Sequence, residues 1–172
     1  MAGDRSRHWR WRLALTGNAL VIGYGNPLRG DDGVGQAAAG AFANEGAIAH
    51  TRAIVCHQLM PELAECIAAA DRVVFVDATV NVDPGTVAIR EIYGAAALAS
   101  GLAHTATPAA LVALAHELYG RSPEAFLVTV GVSSLALGVG LSDAAAAALP
   151  VAIAAIGRLL SERPAAIESL GK

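Results

Sequence analysis

The feature that most constrains the fold is a glycine-rich segment, residues 23–35, that directly follows the apolar run Ala19–Ile22. The run is typical of a buried strand, and the residues after the segment are rich in alanine. Together they predict a strand, a tight turn and the start of a helix. Turns of this kind often hold phosphate through backbone N–H groups. This one carries two adjacent carboxylates, Asp31 and Asp32, and therefore favours a cation instead.

Along the rest of the chain, apolar runs alternate with helical patterns. This alternation predicts an α/β fold with three α/β/α layers and a mostly parallel, twisted sheet of about five strands, one of them an antiparallel edge strand. The predicted strands are Ala19–Tyr24, Ala47–Cys56, Arg72–Asp77, the edge strand Thr86–Ile92, and Ala125–Val132. The predicted helices are residues 33–44, 61–70, 108–119 with Thr107 as N-cap, and a last helix capped by Ser142.

The length of 172 residues is enough for one domain with a substantial core. We predict that this domain spans residues 19–161, after a flexible basic N-terminal extension at 1–18 and before a loose C-terminal tail at 162–172. Residues 1–12 carry four arginines and one aspartate, giving +3, so the net charge of −3 leaves −6 on the remainder. An acidic body argues against nucleic acid as a partner.

The most apolar helical segment, Ala144–Ala155, contains Pro150 and is followed by Arg158. A membrane span needs about 20 strongly apolar residues, so we expect no membrane association and a helix interrupted at the proline. The spacing of Cys56 and Cys66 matches no metal or redox pattern. Both are predicted to be buried thiols, and the lack of a signal-peptide pattern favours the cytoplasm.

Three residues are predicted to converge at one edge of the sheet. Asp32 lies just after the first strand, Asp77 ends the third, and His104 lies in a loop that can reach the same edge. Ligands of open α/β sheets bind at the carboxyl ends of the strands. Two carboxylates this close repel each other unless one is protonated or a cation binds. Carboxylate oxygens with an imidazole suit zinc, nickel, cobalt or manganese better than magnesium.

Each of these residues also has a structural alternative. Asp31 could cap a helix, Asp32 could be a first-turn acid favoured by the helix dipole, Asp77 could close a strand, and His104 could be a surface or cap histidine. Two phosphate-binding motifs are excluded, because the dinucleotide pattern fails at Leu28 and the Walker A pattern meets Asp31 where it needs lysine.

With these residues in place, the chain resembles the nickel-iron hydrogenase maturation proteases over about residues 20–155. The segments that carry the resemblance are Gly23–Asn26, Asp31–Gly35, Phe75–Ala78 and the His104 loop. Two others, His57–Leu63 and His116–Gly120, are similar to the branch that serves cytoplasmic, NAD-coupled hydrogenases.

The resemblance implies an endopeptidase that removes the C-terminal extension of a hydrogenase large-subunit precursor after nickel insertion. It implies that Asp32, Asp77 and His104 contact the metal and carry the chemistry, which is of an aspartyl or metal-assisted type. The nickel would belong to the precursor and serve as the recognition element, so the free enzyme would be metal-free.

The resemblance also gives supporting roles to Gly25, Asn26 and Asp31. One segment departs from the family, because Gly131–Gly138 lacks the aromatic and acidic residues of the family pattern Gly-x-Ser-Phe-Glu-x-Gly. This departure keeps open a non-catalytic chaperone that checks the large subunit for nickel. A self-contained zinc metallohydrolase is a further alternative.

Overall fold

The structure, a computed structural model, describes residues 18–45, 48–94 and 106–161. Its strands are β1 (Ala19–Tyr24), β2 (Thr51–Cys56), β3 (Arg72–Thr79), β4 (Val87–Ile92) and β5 (Glu124–Gly131). Its helices are α1 (Val34–Asn44), α2 (Leu63–Ala68), α3 (Pro108–Tyr119) and α4 (Asp143–Ser161), with a 3-10 turn at Gly30–Gly33 before α1.

The five strands form one sheet in the order β2-β1-β3-β5-β4. All neighbouring strands are parallel except β4, which is antiparallel to β5 and lies at the edge. The chain moves to one side of β1 to form β2 and to the other side to form β3, so β1 and β3 lie at the topological switch point. We call the end of the sheet where these parallel strands finish the carboxyl edge, and the opposite end the amino edge.

Helices cover both faces of the sheet, which confirms the predicted three layers. Alternate residues of each buried strand point to opposite faces, so Val74 and Val76 pack with α1 and α4, while Val73 and Phe75 pack with α2 and α3. The central strands are buried on both sides, and this explains their continuous apolar runs.

Most predicted elements lie within two residues of the observed bounds at each end, and two differ most in extent. β2 begins at Thr51 rather than Ala47, because His50 has a φ of +60°, which is incompatible with a strand. The second helix is Leu63–Ala68 rather than 61–70. Residues 1–17 and 162–172 lie outside the described residues, so the extension and the tail stay predictions.

The last helix begins as predicted but does not break at its proline. Ser142 caps it, since the Ser142 hydroxyl accepts the Ala145 N–H at 3.3 Å. The helix continues through Pro150, which lies on an exposed side and removes only one backbone donor. At 19 residues and a mean hydropathy of 1.8, it is long and apolar enough to cross a membrane by length and composition. Its buried side packs in the core beside α1, as the core helix of a globular domain does.

The prediction that both cysteines are buried is wrong. Cys56 and Cys66 are free and only partly buried. Cys56 ends β2, an outer strand of the sheet, where fewer neighbours cover the side chain.

Candidate active site

The turn between β1 and α1 is built around Asp32. Gly25 has a φ of +129°, and a Cβ at this position would lie 1.8 Å from the Asp32 carbonyl oxygen, so only glycine fits. The Asn26 N–H donates to Asp32 Oδ2 at 2.9 Å, and the Asn26 side-chain oxygen accepts the Leu28 N–H at 3.0 Å. Gly25 and Asn26 therefore fix the position of the Asp32 carboxylate.

Asp77 lies in β3 directly beside the end of β1. Gly23 pairs with Val76, so Tyr24 and Asp77 come next in register. Asp77 Oδ1 accepts the Ala78 N–H at 2.8 Å, and the Tyr24 hydroxyl donates to the same carboxylate. Burial raises the pKa of Asp77 above its ordinary value, against the lowering effect of these two hydrogen bonds, and the negative charge of Asp32 raises it further.

The two carboxylates are neighbours because α1 starts directly against the ends of two strands. A Cβ on Gly35 would lie 2.4 Å from the Val76 carbonyl oxygen and 2.5 Å from that of Tyr24. The helix can approach this closely only because Gly35 has no side chain. Asp32 precedes this contact and Asp77 follows it, so both acids lie at the carboxyl edge of the switch point.

Asp31 has a different role from Asp32. It is 6% exposed, and its Oδ1 and Oδ2 accept the backbone N–H and the hydroxyl of Ser142 at 2.6 and 2.8 Å. The alternative that Asp31 caps the following helix is wrong, because α1 starts after Gly33 without a side-chain cap. Asp31 instead connects the turn between β1 and α1 to Ser142, the residue that caps α4.

The loop between β5 and α4 lies against the same turn. The Gly30 N–H donates to the Gly138 carbonyl at 2.8 Å, and the Gly138 N–H donates to the Leu28 carbonyl at 3.1 Å. Arg29 Nε donates to the Leu135 carbonyl at 2.8 Å. The segment that departs from the family pattern is therefore bonded to the turn that carries Asp32.

His104 lies outside the described residues. The structure thus brings together two of the three predicted metal-contacting residues, Asp32 and Asp77. The following helix α3 leads into β5 at the amino edge, so its first turn at Pro108 points to the carboxyl edge. Within residues 18–45, 48–94 and 106–161, no three His, Cys, Asp or Glu side chains are grouped to hold a metal.

A pocket of about 230 Å³ opens elsewhere, at the amino edge. Its lining includes Asn18, His50, Arg52 and Cys66. It lies at the far end of the strands from Asp32 and Asp77, so it is separate from the carboxylate site.

The fold was compared with those of known proteins. No protein-family model and no curated protein sequence matches the chain. The hydrogenase 2 maturation peptidase of Thaumarchaeota archaeon SCGC_AB-539-E09 is similar at 22% identity and a TM-score of 0.64, covering 83% of this chain and 97% of that one. The chain has the fold of the hydrogenase maturation proteases.

Two further structures of hydrogenase maturation proteases have a similar fold. The maturating endopeptidase HybD of E. coli is 24% identical with a TM-score of 0.62, over 81% of this chain and 89% of that one. The maturation protease HybD of Thermococcus kodakarensis is 22% identical with a TM-score of 0.65, over 84% and 99%. The structural comparison therefore leads to the fold that the sequence resemblance implies.

Three residues near the carboxyl edge of this maturation-protease fold make contacts that were not predicted from the sequence. Tyr24 bonds Asp77, Ser142 bonds Asp31, and Gln36 Nε2 donates to the carbonyls of Gly25 and Cys56 at 2.5 and 2.9 Å. Tyr24 could have been found from strand alternation once β1 and β3 were taken as neighbours. Ser142 was predicted only as a helix cap, and no local signal indicates its bonds to Asp31, because the two residues are distant in sequence.

Proposed function

We propose that the chain is an endopeptidase that removes the C-terminal extension of a nickel-iron hydrogenase large-subunit precursor. The observation that carries the proposal is the Asp32–Asp77 pair at the switch point of a maturation-protease fold. Ligands of open α/β sheets bind at this position. A peptide hydrolase with two adjacent acids here has groups that can hold a cation beside a scissile bond.

We further propose that the cation is the nickel of the precursor, which makes it part of the substrate. The donor set fits, because Asp32 and Asp77 accept hydrogen bonds from backbone N–H groups and a phenol, and each carboxylate keeps further lone pairs for a cation. His104 would supply an imidazole, a ligand that nickel accepts together with oxygen. Bound in this way, nickel can polarise a carbonyl or lower the pKa of water. The carboxylates would orient the cation, and a precursor without nickel would lack this contact.

A protein substrate is supported by exposed aliphatic side chains next to the site. Leu28, Leu137 and Val139 are 63%, 86% and 94% exposed, and the bonds between Leu28, Gly30 and Gly138 bring their segments together. We call these three side chains the apolar ridge. Exposed apolar groups in one area are typical of surfaces that bind proteins. The ridge adjoins the turn of Asp32, where a docked precursor would present its C-terminal segment.

We place the reaction in the cytoplasm and the precursor in the NAD-coupled branch of hydrogenases. The unpaired thiols Cys56 and Cys66 suit a reducing compartment. The branch rests on the sequence resemblance of residues 57–63 and 116–120.

The test is incubation of the full chain with nickel-loaded and nickel-free precursor, followed by mass spectrometry of the large subunit. We expect the extension to be lost only from the nickel-loaded form. Removal of the extension from both forms would exclude the nickel-checking role but retain the protease function. No loss from a cognate precursor would disprove the protease.

The same experiment separates the two alternatives. The loop at residues 133–138 lacks the family's aromatic and acidic groups, and this favours a chaperone as the second candidate. A chaperone would bind nickel-loaded precursor without cutting it, which co-purification would reveal. A self-contained zinc enzyme would retain zinc in the purified chain and cut without nickel.

A further inference from the structure

Tyr24 is an uncharged side chain that contacts the candidate metal-binding pair, and the proposed chemistry does not use it. It is the last residue of β1, and the pairing of Gly23 with Val76 puts it beside Asp77. Strand alternation directs Tyr24 to the same face as Leu20 and Ile22, and Asp77 to the same face as Val73 and Phe75. Both side chains therefore lie on the α2 and α3 side of the sheet.

The surroundings of Tyr24 leave its hydroxyl one clear role. The ring packs against the buried cluster of that face, so it is held by apolar contacts. The hydroxyl reaches the Asp77 carboxylate. A phenol is protonated at neutral pH and therefore acts as a donor to a carboxylate.

Asp77 is in this way held at two points. Its Oδ1 accepts the Ala78 N–H at 2.8 Å, and the Tyr24 hydroxyl gives a second contact from the neighbouring strand. A carboxylate bonded only to the next residue of its own strand could still rotate. The second bond, from another strand, limits this rotation and leaves the remaining lone pairs in a defined direction.

We propose that Tyr24 is a positioning residue that orients the Asp77 carboxylate so that Asp77 and Asp32 offer their oxygens to one divalent cation. This inference rests on the proposed function in taking that cation to be nickel. Hydrogen-bond partners of metal ligands fix ligand orientation, and their loss typically lowers metal affinity about 10- to 100-fold. Tyr24 would thus set the affinity of the site without touching the metal.

The variant that isolates this role is Tyr24→Phe, which keeps the packed ring and removes only the hydroxyl. Tyr119→Phe is the matched control, because Tyr119 is 49% exposed at the end of α3, toward the amino edge. Asp77→Asn provides the reference for a lost ligand. A purely structural role of Tyr24 would lower the melting temperature, whereas a positioning role leaves it unchanged and weakens metal binding.

The experiment is a competition titration of the full chain with Ni²⁺ and a chromophoric chelator at fixed neutral pH. We expect Tyr24→Phe to bind Ni²⁺ about 10- to 100-fold more weakly than the wild-type chain at an unchanged melting temperature. Tyr119→Phe should match the wild type. Equal Ni²⁺ affinity of Tyr24→Phe and wild type would overturn the inference.

A wild-type chain that binds no Ni²⁺ at millimolar concentration would overturn it as well. Neither result decides the proposed function, which depends on whether the wild-type chain cuts the precursor. A chain that cuts the precursor while Tyr24→Phe retains full Ni²⁺ affinity would keep the protease and reject the positioning role. A chain that binds Ni²⁺ through a Tyr24-dependent site but never cuts the precursor would keep the positioning role and reject the protease.

Discussion

Acidic residues have different kinds of partner at the two edges of the sheet. At the amino edge, two acids have a basic partner. Buried Arg72 pairs with Glu124, and Arg121 pairs with Asp71 at 3.1 Å. Arg72 also donates to the carbonyl of Leu159 near the end of α4 and lies 5.7 Å from the Phe126 ring centroid. Charge at this edge connects β3, β5 and α4.

At the carboxyl edge, the acids accept only from neutral donors in the part of the chain that the structure describes. Asp31 accepts from Ser142, Asp32 from the Asn26 N–H, and Asp77 from the Ala78 N–H and the Tyr24 hydroxyl. Neutral donors position a carboxylate without cancelling its charge. The amino edge thus uses charge pairs to connect its elements, while the carboxylates at the carboxyl edge have no charged partner among the described residues, as the proposed cation site requires.

The largest effect that tests this contrast is expected from Asp77→Asn. Loss of the proposed direct metal contact should slow processing of nickel-loaded precursor by at least about 100-fold, since loss of a hydrogen-bond partner of a metal ligand already costs up to about 100-fold. The chain should remain folded, because asparagine keeps the shape of the side chain. Mass spectrometry of the large subunit over time measures the rate. Asp71→Asn at the amino edge is the control and should process at the wild-type rate; a similar loss in that variant would contradict the contrast.

The second prediction concerns the amino edge. Glu124→Ala removes the carboxylate that faces Arg72, whose side chain is only 6% exposed. Removing one partner of a fully buried ion pair lowers the free energy of unfolding by about 3–5 kcal/mol. Because Glu124 is 40% exposed, we expect a smaller decrease, of about 2 kcal/mol. Urea unfolding measures this change, while the processing rate of the folded protein should not change.

The exposed pair at the same edge gives the matched control for Glu124→Ala. Arg121 and Asp71 are 58% and 55% exposed, so Arg121→Ala should cost less than about 1 kcal/mol. Equal losses in the two variants would show that burial of Arg72 does not set the cost.

A smaller effect is expected on the apolar ridge. Leu137→Ser should raise the KM for the precursor about 5- to 10-fold, the factor that corresponds to a contact worth slightly more than about 1 kcal/mol. The kcat should stay constant, because the ridge does not touch the carboxylates. Val151→Ser on α4, also an exposed aliphatic residue at 53%, should leave both constants unchanged. An unchanged KM in Leu137→Ser would exclude the ridge from precursor binding.

Much of the fold could be predicted because its signals are local. The buried parallel strands show as continuous apolar runs, and the bounds of β1 match the prediction residue for residue. Thr107 was identifiable as a cap by its position before Pro108, and its hydroxyl does accept the Ala110 N–H at 3.2 Å. Where a signal is absent locally, the prediction was wrong. Nothing in the neighbours of His50 indicates its positive φ, and the alanines around Pro150 do not reveal that the helix continues.

The candidate site was predictable only in part. Asp32 comes after one recognisable strand and Asp77 lies near the end of another, so predicting that they meet required only the strand order. The Asn26 bond to Asp32 lies within the first motif, whereas two further bonds at the site come from residues that no motif marks as partners of the acids. Ser142 bonds Asp31 from a position far away in the sequence. Tyr24 lies inside the motif, but its role cannot be recognised there because tyrosine at a strand end is ordinarily a packing residue. Tertiary contacts of this kind leave no periodic pattern in the sequence.

The smallest expected effect is the pH dependence of stability, and it follows from the direction of the Asp77 pKa shift. Burial raises the pKa of Asp77 in the folded state, so the folded protein binds this proton more tightly than the unfolded chain does. The free energy of unfolding should therefore fall as pH rises from the unfolded pKa, about 3.9, through the folded pKa. Above the folded pKa the ionised carboxylate opposes folding by a constant amount. Asp77→Asn should consequently be more stable than the wild type at pH 7, and this advantage should shrink on acidification towards the unfolded pKa. Urea unfolding of both proteins across this range, without metal, measures the difference. A variant less stable than the wild type at neutral pH would mean that the bonds from Ala78 and Tyr24 stabilise the ionised carboxylate more than burial destabilises it. The charge of Asp77 would then contribute to folding stability, as the charges at the amino edge do.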